Sequence, residues 1–290
     1  MILLYAVVGL LVGGVLNLLA DVMPHKTRLR LPRCVHCDVP RQLTAWLTTM
    51  GYVLHRGRCS SCGASLQRRG VLTELATAII FALIYDGYGP TGHMLLLSAY
   101  MAILVLVTVV DLEHRLVLNR VIGPAILLAL VASPFTPDLT WQQALVGGLV
   151  GFSFFYVIAM IKPGAMGAGD VKLALFIGLF TGFPVVIVAL LIALFAGGLI
   201  SLFLVATRIR SMRDYIPYGP FLVIGGVYAL FWGQPVVDDY LDRGQTVEMA
   251  LVQDHRAEPR LALDAPLDWT QVWISRSEDG LVAHTSSSIS

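Results

Sequence analysis

Two aspartates and four cysteines are the residues whose types and positions could do chemistry. Asp111 closes the apolar run Leu104–Val110, and Asp170 opens the run Val171–Phe176. Ionisable groups at the depth of an apolar span are costly and usually functional. Two carboxylates that share a site do not both ionise easily, so one proton is held between them. The ionised member can take a proton from water, and the protonated member can donate to a carbonyl oxygen or a leaving amine. That is peptide hydrolysis without a covalent enzyme intermediate, and the shared proton belongs to the pair. Asp170 follows Gly164-Ala165-Met166-Gly167-Ala168-Gly169, a run that resists regular helix and lets backbone approach closely. It then stands at a helix start, where the macrodipole favours an anion. Taken singly, each aspartate is equally well an ordinary helix-end residue at an interface. A partner at matching depth is what favours chemistry.

The cysteines occur as Cys34-x2-Cys37 and Cys59-x2-Cys62, with 21 residues between the pairs. Two such pairs are the layout of a tetrahedral sulfur site for zinc, although the separation slightly exceeds the usual range of about 15–20. Arg33, Arg56 and Arg58 flank them and help hold thiolates ionised. Disulfides are the alternative, disfavoured in a reducing cytoplasm. Four thiolates leave no open position for a water, so the expected zinc is structural and folds a small ribbon over residues 34–62.

The elements that position these groups follow from composition. Of 290 residues, 57% are hydrophobic and only 13% charged, against roughly 25% charged in a soluble domain. The expected fold is an all-α, polytopic membrane bundle of about eight spans with a small cytoplasmic zinc-binding loop domain. Candidate spans lie near residues 2–23, 71–88, 93–110, 120–135, 143–161, 171–183, 184–206 and 219–234. The sixth and seventh are separated only by Gly182-Phe183-Pro184, so a count of seven is the alternative. The first is read as a retained span, since it lacks a basic start and a cleavage site. Residues 24–70 carry nine Lys or Arg (Lys26, Arg28, Arg30, Arg33, Arg41, Arg56, Arg58, Arg68, Arg69) and one acid, Asp38. This loop is therefore placed in the cytoplasm. With eight spans, segments 111–119, 162–170 and 207–218 fall on the same side, bringing Arg115, Lys162, Arg208, Arg210 and Arg213 with them. Asp111 and Asp170 then share one depth and one face, though sequence does not show that their helices touch. The expected division is 1–23 first span, 24–70 four-cysteine loop, 71–235 membrane core and 236–290 an acidic, partly disordered extracytoplasmic tail.

At these residues the chain resembles the type IV prepilin peptidases, membrane aspartyl peptidases with a GxGD motif. The resemblance rests on Gly167-Ala168-Gly169-Asp170 with Val171-Lys172-Leu173, and on Asp111-Leu112-Glu113-His114-Arg115 with Asn119. It rests further on Ile216-Pro217-Tyr218-Gly219-Pro220-Phe221-Leu222 and on Gly13-Gly14-Val15-Leu16-Asn17. These pieces extend over residues 1–235 in the family's order. The resemblance implies an endopeptidase of the plasma (inner) membrane, with its active site at the cytoplasmic face. It would remove the basic leader of prepilins or pseudopilins after a Gly, with Asp111 and Asp170 catalytic and Gly167, Gly169 and Lys172 in the supporting loop. The four-cysteine loop is similar to that of members that also methylate the new N-terminus using S-adenosylmethionine, although no residue set here marks a site for that cofactor. Membrane lipid is an expected partner and nucleic acid is not. Two departures stand out. Val117-Leu118-Asn119 replaces a common Ile-Pro-Asp/Asn, and Asp21-Val22-Met23-Pro24 replaces a basic stretch.

Other groups have plainer readings. Glu113 and His114 are expected as solvated loop residues and Lys172 as snorkelling to the interface. Glu74 is expected at the interface near Arg68 and Arg69, with a substrate amine as its alternative partner. The Gly147-Gly148 and Gly197-Gly198 pairs are expected to permit close helix packing. The competing function is a non-catalytic membrane scaffold or an ion or proton relay, but a relay wants carboxylates nearer mid-membrane. A protease cutting within spans would place its aspartates deeper inside the helices than these.

Overall fold

The computed structural model describes residues 1–24, 34, 37, 39, 47–59, 61–65, 68–137, 139–161, 166–208, 218–257, 272–277 and 280–285, with the backbone alone for Val205 and from residue 244 onward. Lys26, Arg28, Arg30, Arg33, Arg41, Lys162, Arg210 and Arg213 of the basic segments lie outside this set, as do Gly164, Ala165, Ile216, Pro217 and the final Ser286–Ser290. The chain divides into two compact units, Met1–Asp239 and Tyr240–Ser290.

The first unit is helical: α1 (Ile2–Val22), α2 (Thr48–His55), α3 (Arg68–Tyr88), α4 (Gly92–His114), α5 (Asn119–Ala132), α6 (Trp141–Ile161), α7 (Ala168–Thr181), α8 (Val185–Ala206) and the start of α9 (Gly219–Ala257). A helix stands at each of the eight candidate span positions. Six of them, α1, α3, α4, α6, α8 and α9, are long and apolar enough to cross a membrane. The other two, α5 and α7, have 14 residues each, which is about 21 Å of helix against a hydrocarbon core of about 30 Å. Eight full crossings are therefore not shown. The Gly182–Pro184 break does separate α7 from α8, with Gly182 at φ +72°, a conformation that suits a residue without Cβ.

The core runs along α4 and α7. Tyr100, Met101 and Leu104 of α4 meet Phe176, Ile177 and Phe180 of α7, all within 5% exposure. Tyr100 stacks on Phe180 with ring centroids 5.2 Å apart. α7 is apolar all round because it is buried all round: only its third residue, Asp170, is both charged and buried. The helices around it close in through small residues. Gly151 of α6 faces Ala174 so tightly that a Cβ would come 2.5 Å from its carbonyl oxygen, and Gly148 faces Leu179. Gly147 packs on the backbone of Gly178 and Gly197 on Tyr218, whereas Gly198 faces open space. On the other side α1 lies on α3, with Gly13 against the Glu74 backbone and Tyr5 stacked on Phe81.

In the second unit the backbone of α9 continues to Ala257, well past the expected span end near residue 234. Beyond it, β1 (Val272–Ser277) pairs antiparallel with β2 (Gly280–Thr285), from Val272 opposite Thr285 to Ser277 opposite Gly280. This hairpin is the strand structure added to the helical fold.

Candidate active site

Asp111 sits in the last turn of α4. That helix ends when Arg115 turns left-handed (φ +53°) and its N–H caps the Asp111 carbonyl at 2.8 Å. The Asp111 side chain is 1% exposed. Gly219, the first residue of α9, lies against it, and a Cβ there would come 2.5 Å from Oδ2. Oδ2 has no hydrogen-bond partner among the described residues.

Asp170 stands at the N-terminus of α7 and is 2% exposed. Its Oδ2 accepts from the Gly167 N–H at 3.3 Å, and its own N–H donates to the Gly167 carbonyl at 3.0 Å. Gly167 thus serves as the N-cap, leaving the first turn of α7 held partly by the Asp170 side chain. Gly169 packs on Val117, where a Cβ would approach to 2.5 Å. Lys172 Nζ donates to Asn119 Oδ1 at 2.8 Å. The contacts of Gly169 and Lys172 thus join the segment after Asp111 to the helix that carries Asp170. Tyr218, next to Gly219, links the second aspartate to the same place. Burial, and then the negative charge of Asp170, push its phenol up to about 12, and its hydroxyl donates to the Ala193 carbonyl at 2.8 Å. The resemblance marks this segment as a motif but gives no hint that Gly219 walls Asp111.

Two polar residues differ from their sequence reading. Glu113 is helical and pairs with Arg69, which also holds Asp21 at 2.6 Å; the three form an ion-pair cluster joining α1, α3 and α4. Glu74 is wholly buried. Its Oε1 accepts from the Thr48 N–H at 2.8 Å and from Asn17 Nδ2 at 3.3 Å, and its Oε2 accepts from the Thr49 N–H at 2.8 Å. Asn17 Nδ2 also donates to the Gly70 carbonyl at 3.0 Å. Glu74 is thus the N-terminal cap of α2, supplied from α3, and belongs neither to the interface nor to Arg68. Its signal in the sequence is the coincidence of Asn17 and Glu74, two polar groups within apolar helices that must find partners when buried.

The four cysteines come together. All their sulfurs lie within 4.8 Å of one another, and none forms a disulfide. Cys34 and Cys62 are 3.7 Å apart, close to the ~3.8 Å edge of a tetrahedron with metal–sulfur bonds near 2.3 Å. Each pair sits on a turn, with Cys34 N–H donating to the Val39 carbonyl at 3.0 Å and Cys59 N–H to the Ala64 carbonyl at 2.8 Å. At Cys62 a backbone hydrogen bond at Ala64 pulls the thiol down, but desolvation and the three neighbouring thiols outweigh it and push it up to about 12. A cation among the sulfurs removes that conflict, so the donor set fits a metal ion.

The profile of the Type IV leader peptidase family matches residues 98–202, and that of the Bacterial Peptidase A24 N-terminal domain matches residues 7–87. The first spans both aspartates and the second spans all four cysteines. A prepilin leader peptidase/N-methyltransferase of Pseudomonas aeruginosa is 30% identical over 221 residues, 72% of this chain and 73% of the relative. Another of that name from Stutzerimonas stutzeri is 29% identical over 271 residues, 81% of this chain and 92% of the relative. One from Bacillus subtilis is 27% identical over 214 residues, 74% and 85% respectively. No solved structure matches. On the strength of these matches, and of the helical membrane architecture that carries them, the chain belongs to the type IV leader peptidase family.

Proposed function

We propose that the chain is a multi-pass aspartic endopeptidase that cleaves the basic leader from type IV prepilins or pseudopilins after a Gly, and that Asp111 and Asp170 are its catalytic pair. The observation that carries this is the burial of two carboxylates at the ends of separate helices, with Gly219 packed against Asp111. In this reading the pair holds one proton. Its ionised member draws a proton from the attacking water while its protonated member donates to the carbonyl oxygen. The member protonated by the water then donates to the leaving amine as the other takes a proton back from the tetrahedral intermediate. Gly167 orients Asp170 through its N–H, Gly169 lets the Val117 segment approach, and the Lys172–Asn119 bond fixes that segment. Residues 71–235 form the peptidase core and residues 24–70 the four-cysteine loop.

Cys34, Cys37, Cys59 and Cys62 would hold zinc, which supplies cross-linking of the ribbon and no reactive position. The relatives' name includes N-methyltransferase, an activity that uses S-adenosylmethionine. Among the described residues no group of side chains marks a site for it, and the reading rests on peptide hydrolysis. The basic residues of 24–70 support a cytoplasmic placement of the loop and of the aspartates, within the inner membrane and in contact with lipid. A prepilin leader stays on that side.

The test is leader removal from a model prepilin in membranes carrying the parent chain, Asp111→Asn or Asp170→Asn. The parent should cut and neither variant should, each losing at least a thousandfold. A variant that cuts at the parent rate would remove its aspartate from the pair.

A further inference from the structure

The short helix α2 carries its apolar side outward. Met50, Val53 and Leu54 recur at i, i+3 and i+4, within about 100° of arc, and are 50%, 73% and 57% exposed. The opposite side is the packed one. Thr48 and Gly51 are buried, Thr48 lies on Gly70 of α3, and Leu47, just before the helix, lies on Gly14 of α1. Arg56 ends the helix in the left-handed region at φ 49°, and both it and Arg58 are exposed. We propose that α2 lies in the membrane interface, with Met50, Val53 and Leu54 among the upper acyl chains and Arg56 and Arg58 on anionic phospholipid headgroups. Whatever the chain cleaves, this requires only that α1 and α3 cross the bilayer, for which both are long and apolar enough.

The depth of α2 is set by the two membrane helices it packs on. Glu74 caps its first turn through the Thr48 and Thr49 N–H groups and stands six residues into α3, about 9 Å from the start of that helix. Gly14, under Leu47, stands eight residues before the end of α1 at Val22, about 12 Å inward. Helices that lie along a bilayer bury their apolar face about 5–10 Å into the boundary between headgroups and acyl chains. The start of α2 is thus already at lipid depth. At that depth an outward Met-Val-Leu face meets acyl chains, whereas a helix facing water would present polar side chains there. Charge then selects the lipid. No Asp or Glu occurs between Asp38 and Glu74, and Glu74 is wholly buried. Arg56 and Arg58 therefore have no acid to pair with in their own stretch of chain. Long basic side chains reach from an interface to headgroup phosphates, and each one close to the surface strengthens the hold on an anionic leaflet.

The experiment uses the full chain in vesicles of equal parts phosphatidylcholine and phosphatidylglycerol, with the environment-sensitive residue dansylalanine in place of Val53. One lipid at a time carries bromines on its upper acyl carbons, which quench the probe on contact. Either brominated lipid should quench the emission, phosphatidylglycerol about twofold more than phosphatidylcholine. With Arg56→Gln and Arg58→Gln together, the two lipids should quench alike. Water-like emission that neither lipid quenches would place the face in solvent, and blue-shifted emission that neither quenches would place it under protein; each overturns the proposal. Equal quenching by the two lipids with both arginines present, or a preference that survives their replacement, would overturn the headgroup assignment. Val53 is exposed, so the probe displaces little packing, and if that variant fails to fold the same readings from Met50 decide.

Discussion

Replacing Glu74 by Ala should detach the four-cysteine ribbon from the membrane helices without unfolding them. The carboxylate accepts two backbone N–H bonds at 2.8 Å from the start of α2 and a third, longer bond from Asn17. Hydrogen bonds to a charged group are worth roughly 1.5–3 kcal/mol each. Thr48 is buried, so its N–H would be left unpaired, whereas Thr49 is half-buried and regains water. Asn17 keeps its bond to Gly70. The net cost is then about 3–5 kcal/mol, roughly a hundred- to several thousandfold in the opening of α2. α2 ends at His55, four residues before Cys59. The assay is deuterium labelling of the α2 backbone amides in membranes, where local opening sets the rate. Glu74→Ala should label at least a hundredfold faster than the parent. Glu74→Gln should fall between, since its amide oxygen accepts one N–H while its NH2 faces the other. A labelling rate for Glu74→Ala within about twofold of the parent, the scatter of a neutral substitution, would refute the anchoring argument.

Two further outcomes follow from the geometry. Gly219→Ala places a methyl 2.5 Å from Asp111 Oδ2, closer than real carbon atoms approach; cleavage should fall at least tenfold while thermal stability in detergent drops by no more than about 1–3 kcal/mol. Elemental analysis of the purified chain should give one zinc ion per chain, lost in Cys37→Ser or Cys62→Ser, and chelation should unfold the ribbon, since structural zinc contributes about 10–16 kcal/mol in small domains.

Much of the fold is legible because a bilayer imposes length and apolarity, and α1, α3, α4, α6, α8 and α9 obey both. The short helices are harder. α7 is shielded on all sides by its neighbours, so it needs no full span, and hydropathy registers its apolarity without its length. The two aspartates stand out in sequence as charges at the ends of apolar runs, but which residues surround them does not. Gly219 lies 108 positions from Asp111, and only folding brings that glycine onto the carboxylate. Glu74 shows the other limit. Its nearest charged neighbours in sequence, Arg68 and Arg69, suggest a local ion pair, yet Arg69 binds Asp21 and Glu113 while Glu74 caps a helix from the preceding loop. Nearness in sequence predicts such pairs poorly when donors arrive from other elements.

The contact between Asp111 and Gly219 also orders events during synthesis. Both aspartates are made long before residue 219, and α9 is the last helix of the first unit to emerge. A growing chain that has already placed α4 and α7 still lacks the wall that α9 sets against Asp111. The proposed pair therefore gains its last wall only once the membrane unit is nearly complete.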